Sequence, residues 1–104
     1  MYSLVYTTVG SFKAAEEISS ELLERKLVAC VNAFEMRSTY RWKEGITSEK
    51  EIALLLKTRT DRVDELLRVL DDIHPYEVPC ALEFPVEKGL PSFFAWIDSQ
   101  VQST

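Results

Sequence analysis

Two prolines four positions apart, Pro75 and Pro79, constrain the fold of this chain more than any other feature. Proline lacks a backbone N–H and disfavours helical geometry in the residue before it, so the helical pattern that precedes Pro75 has to end near Ile73. Pro79 in turn marks a strand edge or a strand start. The segment between the prolines is therefore a rigid corner that joins a helix to the last strand, and His74, the only histidine of the chain, begins it.

The corner residues His74, Tyr76 and Glu77 form a candidate site, because a rigid backbone presents polar side chains at little entropic cost. A simpler interpretation is structural: the histidine ends the helix, where a positive charge is favourable, and the tyrosine packs against its neighbours. Residue chemistry alone favours the structural interpretation.

Composition limits the class of protein. A chain of 104 residues with 46% hydrophobic residues indicates one globular domain over residues 1–104. The formal net charge of −5, without any run of Lys or Arg, argues against nucleic acid as a partner.

Met1–Val9 lacks the features of a signal peptide and no apolar run is long enough to span a membrane, which predicts a cytoplasmic protein without a membrane partner. Cys30 and Cys80 form no CxxC motif, so we expect two reduced thiols.

Strand and helix patterns alternate along the chain. β-branched, aromatic or continuous apolar segments predict strands, and apolar residues at helical spacing predict helices. The predicted strands cover residues 2–9, 28–42, 50–59 and 80–86, and the predicted helices cover residues 12–26, 61–73 and a short segment from residue 91. Ser11 and Thr60 are the expected N-caps, and Gly45 with Ser48 predicts a turn over residues 43–49. The apolar stripe of the second helix is Val63, Leu66, Leu67, Leu70 and Ile73.

The order β-α-β-β-α-β followed by a helix predicts an α+β, ferredoxin-like fold, with an antiparallel sheet and both main helices on one face. Right-handed crossovers place the first and third strands in the middle, which separates Cys30 from Cys80 too far for a disulfide within one subunit. At about 3.3 Å per residue, the second strand of the chain, which is the first strand of an extended hairpin, reaches roughly twice as far as the first strand of the chain. Its far end, with Tyr40 and Trp42, overhangs the sheet, and this favours self-association over a hairpin folded back on its own sheet.

Six short segments follow one another along the chain in a distinctive order and spacing. They are Val5–Thr8, Leu27–Asn32, Ser38–Trp42, Leu56–Thr58, His74–Pro79 and Trp96–Ile97. Together they closely resemble the CutA divalent-cation-tolerance family over nearly the whole chain. The resemblance implies a ferredoxin-like homotrimer in which the long hairpins of neighbouring subunits pair around a three-fold axis. It also implies a function in the response to metal ions, with copper or another divalent cation as ligand and no organic cofactor.

The metal ligands that the resemblance implies lie on the first strand and around the corner. Thr7 stands where some relatives have a cysteine, and Ile73 where some have a second histidine, which leaves His74 as the clear ligand and Glu77 as an added carboxylate. Pro75 keeps His74 and Glu77 from lying side by side on one continuous helix. We therefore expect a weak copper site that is completed across a subunit boundary.

A second interpretation, by analogy of fold, is a PII-like signalling trimer that binds a small polar or anionic metabolite in a cleft between subunits. The residues that the resemblance places near such a cleft are Tyr40, Trp42, Lys57, Tyr76 and Glu77. A simpler interpretation is that the aromatic residues seal the interface and that Lys57 pairs with an acid. An enzyme is not expected, because a lone histidine without a nucleophile or paired carboxylates gives no complete acid–base set.

Overall fold

The computed structural model describes residues 1–102 and has the predicted βαββαβ order with a C-terminal helix. Its elements are β1 (Tyr2–Val9), α1 (Phe12–Glu24), β2 (Cys30–Trp42), β3 (Gly45–Arg59), α2 (Val63–Ile73), β4 (Ala81–Val86) and α3 (Pro91–Gln100). The strands form an antiparallel sheet in the order β2-β3-β1-β4, so the central position of β1 and β3 is confirmed. Within residues 1–102, no helix combines the length and the apolar character needed to cross a membrane.

The main core lies between the sheet and the helices α1 and α2. Because side chains alternate along a strand, every second residue of β1, and of the part of β3 that pairs with β1, points into this core. Val5 and Leu56, which are register partners, are both completely buried there. The helices contribute Ile18 and Leu22 from α1 and Leu66 and Leu70 from α2. Burial of a large aliphatic side chain of this kind stabilises the fold by about 1.5–3 kcal/mol.

The two main helices begin differently. The N-cap prediction for α1 is confirmed, because Oγ of Ser11 accepts a hydrogen bond from the backbone N–H of Ala14 at 3.1 Å. The N-cap prediction for α2 is wrong, because a 3₁₀ turn at Thr60–Arg62 precedes the helix. The hydroxyl of Thr60 instead forms a hydrogen bond of 2.8 Å with the hydroxyl of Ser3. A contact with β1 has therefore replaced the local capping interaction.

The connection between β2 and β3 is tighter than predicted. The turn expected over residues 43–49 is wrong, because β3 already begins at Gly45, opposite Trp42. Lys43 and Glu44 form the connection, and Lys43 has a φ of 56°, in the left-handed region that two-residue hairpin turns use. Residues 45–49 are therefore a continuation of the strand.

The hairpin projects beyond the sheet, as the length of β2 predicts. Pairing of β1 with β3 ends at Val9 and Ile52, so residues 36–42 and 45–51 extend past β1. The molecule accordingly measures 45 × 25 × 21 Å. β2 pairs with β3 along its whole length, so among residues 1–102 the outer edge of β2 has no neighbouring strand, and the opposite edge of β3 has none over residues 45–51.

The face of the sheet opposite α1 and α2 is only partly covered. α3 covers one end, where the ring of Phe94 stacks on the ring of Tyr2 with 4.1 Å between centroids. Elsewhere large apolar side chains of this face remain open, among them Phe34, which is 45% exposed, Leu82 at 54% and Phe84 at 51%. We call the surface formed by these three residues the open sheet face.

Candidate functional site

His74 connects the corner to β1. The imidazole is 8% exposed, and its Nδ1 accepts a hydrogen bond from the backbone N–H of Tyr76 at 3.1 Å. Because Nδ1 is an acceptor, Nε2 carries the proton and donates it to the carbonyl oxygen of Thr8 at 2.8 Å. Hydrogen bonds within the subunit therefore engage both ring nitrogens.

One subunit does not assemble a metal site at this corner. In the part of the chain that the structure describes, residues 1–102, no three or more His, Cys, Asp and Glu side chains form a group able to hold a metal ion. Glu77 is exposed, whereas His74 is buried. A metal at His74 also needs a free lone pair, which at Nδ1 is engaged by the N–H of Tyr76. The copper site of His74 and Glu77 stays a prediction.

A cleft of about 810 Å³ lies between the projecting hairpin and the corner. The hairpin contributes Tyr40 and Trp42 from β2 and Glu49 and Glu51 from β3, and the corner contributes residues 75–78. We call this space the hairpin–corner cleft. Its volume is typical of small-molecule sites, which combine aromatic walls with a few polar groups.

The structure brings four of the predicted cleft residues together and leaves one elsewhere. Tyr40, Trp42, Tyr76 and Glu77 all line the hairpin–corner cleft. Nζ of Lys57 instead lies 5.4 Å from the ring centroid of Phe93, on α3. Within one subunit, the ammonium group of Lys57 therefore lies outside the cleft and contacts an aromatic ring of α3.

Two carboxylates of the cleft, Glu49 and Glu51, are absent from the residues predicted from the sequence. The hydroxyl of Tyr40 donates to Oε1 of Glu49 at 2.6 Å, and the hydroxyl of Tyr76 donates to Oε2 of Glu51 at 2.6 Å. The signal that identifies them is strand alternation. Once β3 begins at Gly45, Glu49 and Glu51 share a sheet face with Tyr40, as the register shows.

Burial and these carboxylates raise the pKa of three groups that line the cleft, the hydroxyls of Tyr40 and Tyr76 and the thiol of Cys80, and so favour their neutral forms. Burial, followed by the hydrogen bond to Glu51, raises the pKa of Tyr76 far above its usual 10.0. The hydrogen bond to Glu49 is the main cause of the raised pKa of Tyr40. Burial and then the charge of Glu51 raise the pKa of the Cys80 thiol, so this thiol stays protonated at neutral pH.

The antiparallel sheet with helices on one face, a projecting hairpin and a proline-bounded corner define a ferredoxin-like α+β protein with a cleft at the base of its hairpin. A family model described as "CutA1 divalent ion tolerance protein" matches residues 3–100. The chain belongs to this CutA family.

Relatives from several organisms match the chain over almost its full length. The divalent-cation tolerance protein CutA of Archaeoglobus fulgidus is 38% identical over 102 residues, which cover 98% of this chain and 100% of the relative. That of Thermotoga maritima is 42% identical over 98 residues, covering 94% and 97%. The crystal structure of CutA1 from Pyrococcus horikoshii matches with a TM-score of 0.95 at 32% identity, covering 97% of this chain and 99% of that one.

Proposed function

We propose that this chain is a homotrimeric divalent-cation-tolerance protein that acts in the response to metal ions and has no enzymatic activity. Membership of the CutA family supports the role in metal tolerance, because its model and relatives carry that description. The observation that carries the trimer is the open sheet face, where Phe34, Leu82 and Phe84 are each about half exposed. Clusters of large exposed apolar side chains mark protein interaction sites.

The sheet edges support a ring of three subunits. In the described part of the chain, residues 1–102, the outer edges of β2 and β4 both lack a neighbouring strand, so the hairpin of one subunit can extend the sheet of the next. Such a contact joins two different surfaces and is therefore heterologous. A heterologous contact that closes on itself cannot give a two-fold dimer, so the smallest ring is a trimer.

Copper binding is a further part of this proposal. We expect the site to be weak, because a metal at His74 has to displace the hydrogen bond from the N–H of Tyr76. Glu77 and groups of a neighbouring subunit are the expected additional ligands.

The cytoplasmic location is also a proposal. The structure from Archaeoglobus fulgidus is described as that of a periplasmic divalent cation tolerance protein. Fractionation of cells that express this chain distinguishes the two compartments.

Complementation tests the proposed function. A bacterial strain that lacks its own CutA protein and grows poorly in excess copper is given this chain, and we expect growth to recover. Leu82→Glu places a charge on the open sheet face and is expected to abolish recovery together with trimer formation. Glu24→Ala changes an exposed residue of α1 and serves as the control: we expect it to keep both the recovery of growth and the trimer. Failure of the unaltered, trimeric chain to restore growth contradicts the function in metal tolerance.

The hairpin–corner cleft supports a second candidate function, the binding of a small polar molecule by a PII-like signalling trimer. Its volume of about 810 Å³ and its aromatic lining suit such a ligand. An anionic ligand has less support from one subunit, since Lys57 lies outside the cleft. The net charge of the side chains that line the cleft therefore decides whether an anionic or a cationic ligand fits it better.

A further inference from the structure

We propose that the hairpin–corner cleft binds a small organic cation, an amine or a quaternary ammonium compound, through the rings of Tyr40, Trp42 and Tyr76 and the carboxylates of Glu49 and Glu51. This inference rests on the second candidate function and specifies its ligand class.

The charge of the cleft favours a cation. Among residues 1–102, its lining contains the carboxylates of Glu49, Glu51 and Glu77 and one basic group, the guanidinium of Arg41. Three carboxylates facing one basic group give the cleft a negative potential, which attracts cations and repels anions.

Glu51 is the strongest single indication of a missing positive charge. Its side chain is 6% exposed, and the ion pairs found within residues 1–102 do not include it. Its hydrogen bond comes from the neutral hydroxyl of Tyr76. A buried carboxylate is costly without a cationic partner, so a cation bound beside Glu51 stabilises the site.

Within one subunit, the aromatic residues of the hairpin expose ring surface at the cleft. Tyr40 and Trp42 are 37% and 41% exposed although both line the cleft. A cation over the face of an aromatic ring is attracted by the ring's negative face, and aromatic rings are the usual recognition site for quaternary ammonium groups. The cleft thus combines both elements of an ammonium-binding site.

An inorganic divalent cation fits this cleft less well. Such an ion requires several donor atoms at short, converging distances, and residues 1–102 contain no group of three such side chains. Glu49 and Glu51 each already accept a hydrogen bond from a tyrosine. A volume of about 810 Å³ also suits a molecule of several heavy atoms better than a single ion.

Isothermal titration with choline chloride and with putrescine tests the proposal. We expect saturable binding of at least one of these compounds and no saturable binding of sodium acetate. Glu51→Gln keeps the shape and the hydrogen-bond acceptor but removes the charge, and it should weaken binding roughly tenfold. Trp42→Ala should weaken binding to a similar degree. Trp96→Phe, on α3 and outside the lining of the cleft, is the matched control and should bind as the unaltered chain does.

Two further measurements keep the outcome decisive. If Glu51→Gln does not fold, the exposed Glu77→Gln replaces it and should also weaken binding. Absence of saturable binding to either compound, or equal binding by the charge-removing variant, overturns the proposal. Light scattering on the same samples separates the hypotheses: a trimer without amine binding contradicts only this inference, whereas a monomer contradicts the proposed assembly.

Discussion

Nε2 of His74 donates a hydrogen bond to the carbonyl oxygen of Thr8 at 2.8 Å, and this contact fixes the end of α2 to the end of β1. The same ring accepts the N–H of Tyr76 through Nδ1. The corner is therefore positioned by its own histidine, and the position of the corner determines one wall of the hairpin–corner cleft. Several measurable consequences depend on this arrangement.

His74→Ala should lower the free energy of unfolding by about 1–3 kcal/mol, because it leaves the buried carbonyl of Thr8 without its donor and the N–H of Tyr76 without its acceptor. Urea denaturation at one fixed protein concentration measures the change, since dissociation contributes to unfolding in an oligomer. Glu24→Ala, at an exposed site on α1, should change stability by less than about 0.5 kcal/mol. Equal effects of the two substitutions would contradict a structural role for the imidazole.

Copper titration tests the other role of the same residue. We expect weak copper binding by the unaltered chain and its loss in His74→Ala, because the imidazole is the expected soft ligand. Isothermal titration of both proteins, each verified as folded by circular dichroism, measures the difference. Unchanged copper affinity in the variant means that the metal site lies elsewhere.

Leu66→Ala should destabilise the protein by about 2–5 kcal/mol through a cavity in the core, because Leu66 is completely buried. Leu67→Ala should cost less, about 1 kcal/mol, because Leu67 is only partly buried at the margin of the core. Denaturant unfolding of both variants gives the comparison. A larger effect at Leu67 would show that α2 presents a different face to the sheet.

Helix periodicity identifies the buried side of α2 but not the depth of each position. The predicted stripe includes Leu67 and Ile73, which are partly buried, and omits Val69, which is 1% exposed. The sheet order and the bounds of β1 are predictable because alternation and crossover handedness leave few arrangements.

The cleft is less predictable because its parts are distant in sequence. Gly45 and Ser48 predict a long turn. In the structure both residues pair with β2 and belong to β3. That extension adds Glu49 to the strand, on the same sheet face as Glu51, and both line the cleft. Tyr76 meets Glu51 across 25 positions of the chain, and local patterns carry no signal of this contact.

Tyr76 should make stability fall at alkaline pH. Its pKa is raised in the folded protein above the usual 10.0 by burial and by Glu51. The unfolded chain therefore loses this proton first, and the stabilisation, complete below pH 10, is lost as the pH rises above that value. Tyr76→Phe removes the titrating group, so its stability should decline less steeply above pH 10. Thermal unfolding of both proteins over this range measures the slopes, and identical slopes would contradict the coupling.

The mass of the protein in solution tests the proposed assembly most directly. Light scattering coupled to size-exclusion chromatography, over a dilution series, should give three times the mass of one chain, because the open sheet face and the unpaired edges of β2 and β4 are covered in a closed ring. Leu82→Glu, on the open sheet face, should shift the mass towards that of a monomer, whereas Glu24→Ala should not. A monomeric mass for the unaltered chain throughout the series would contradict the account.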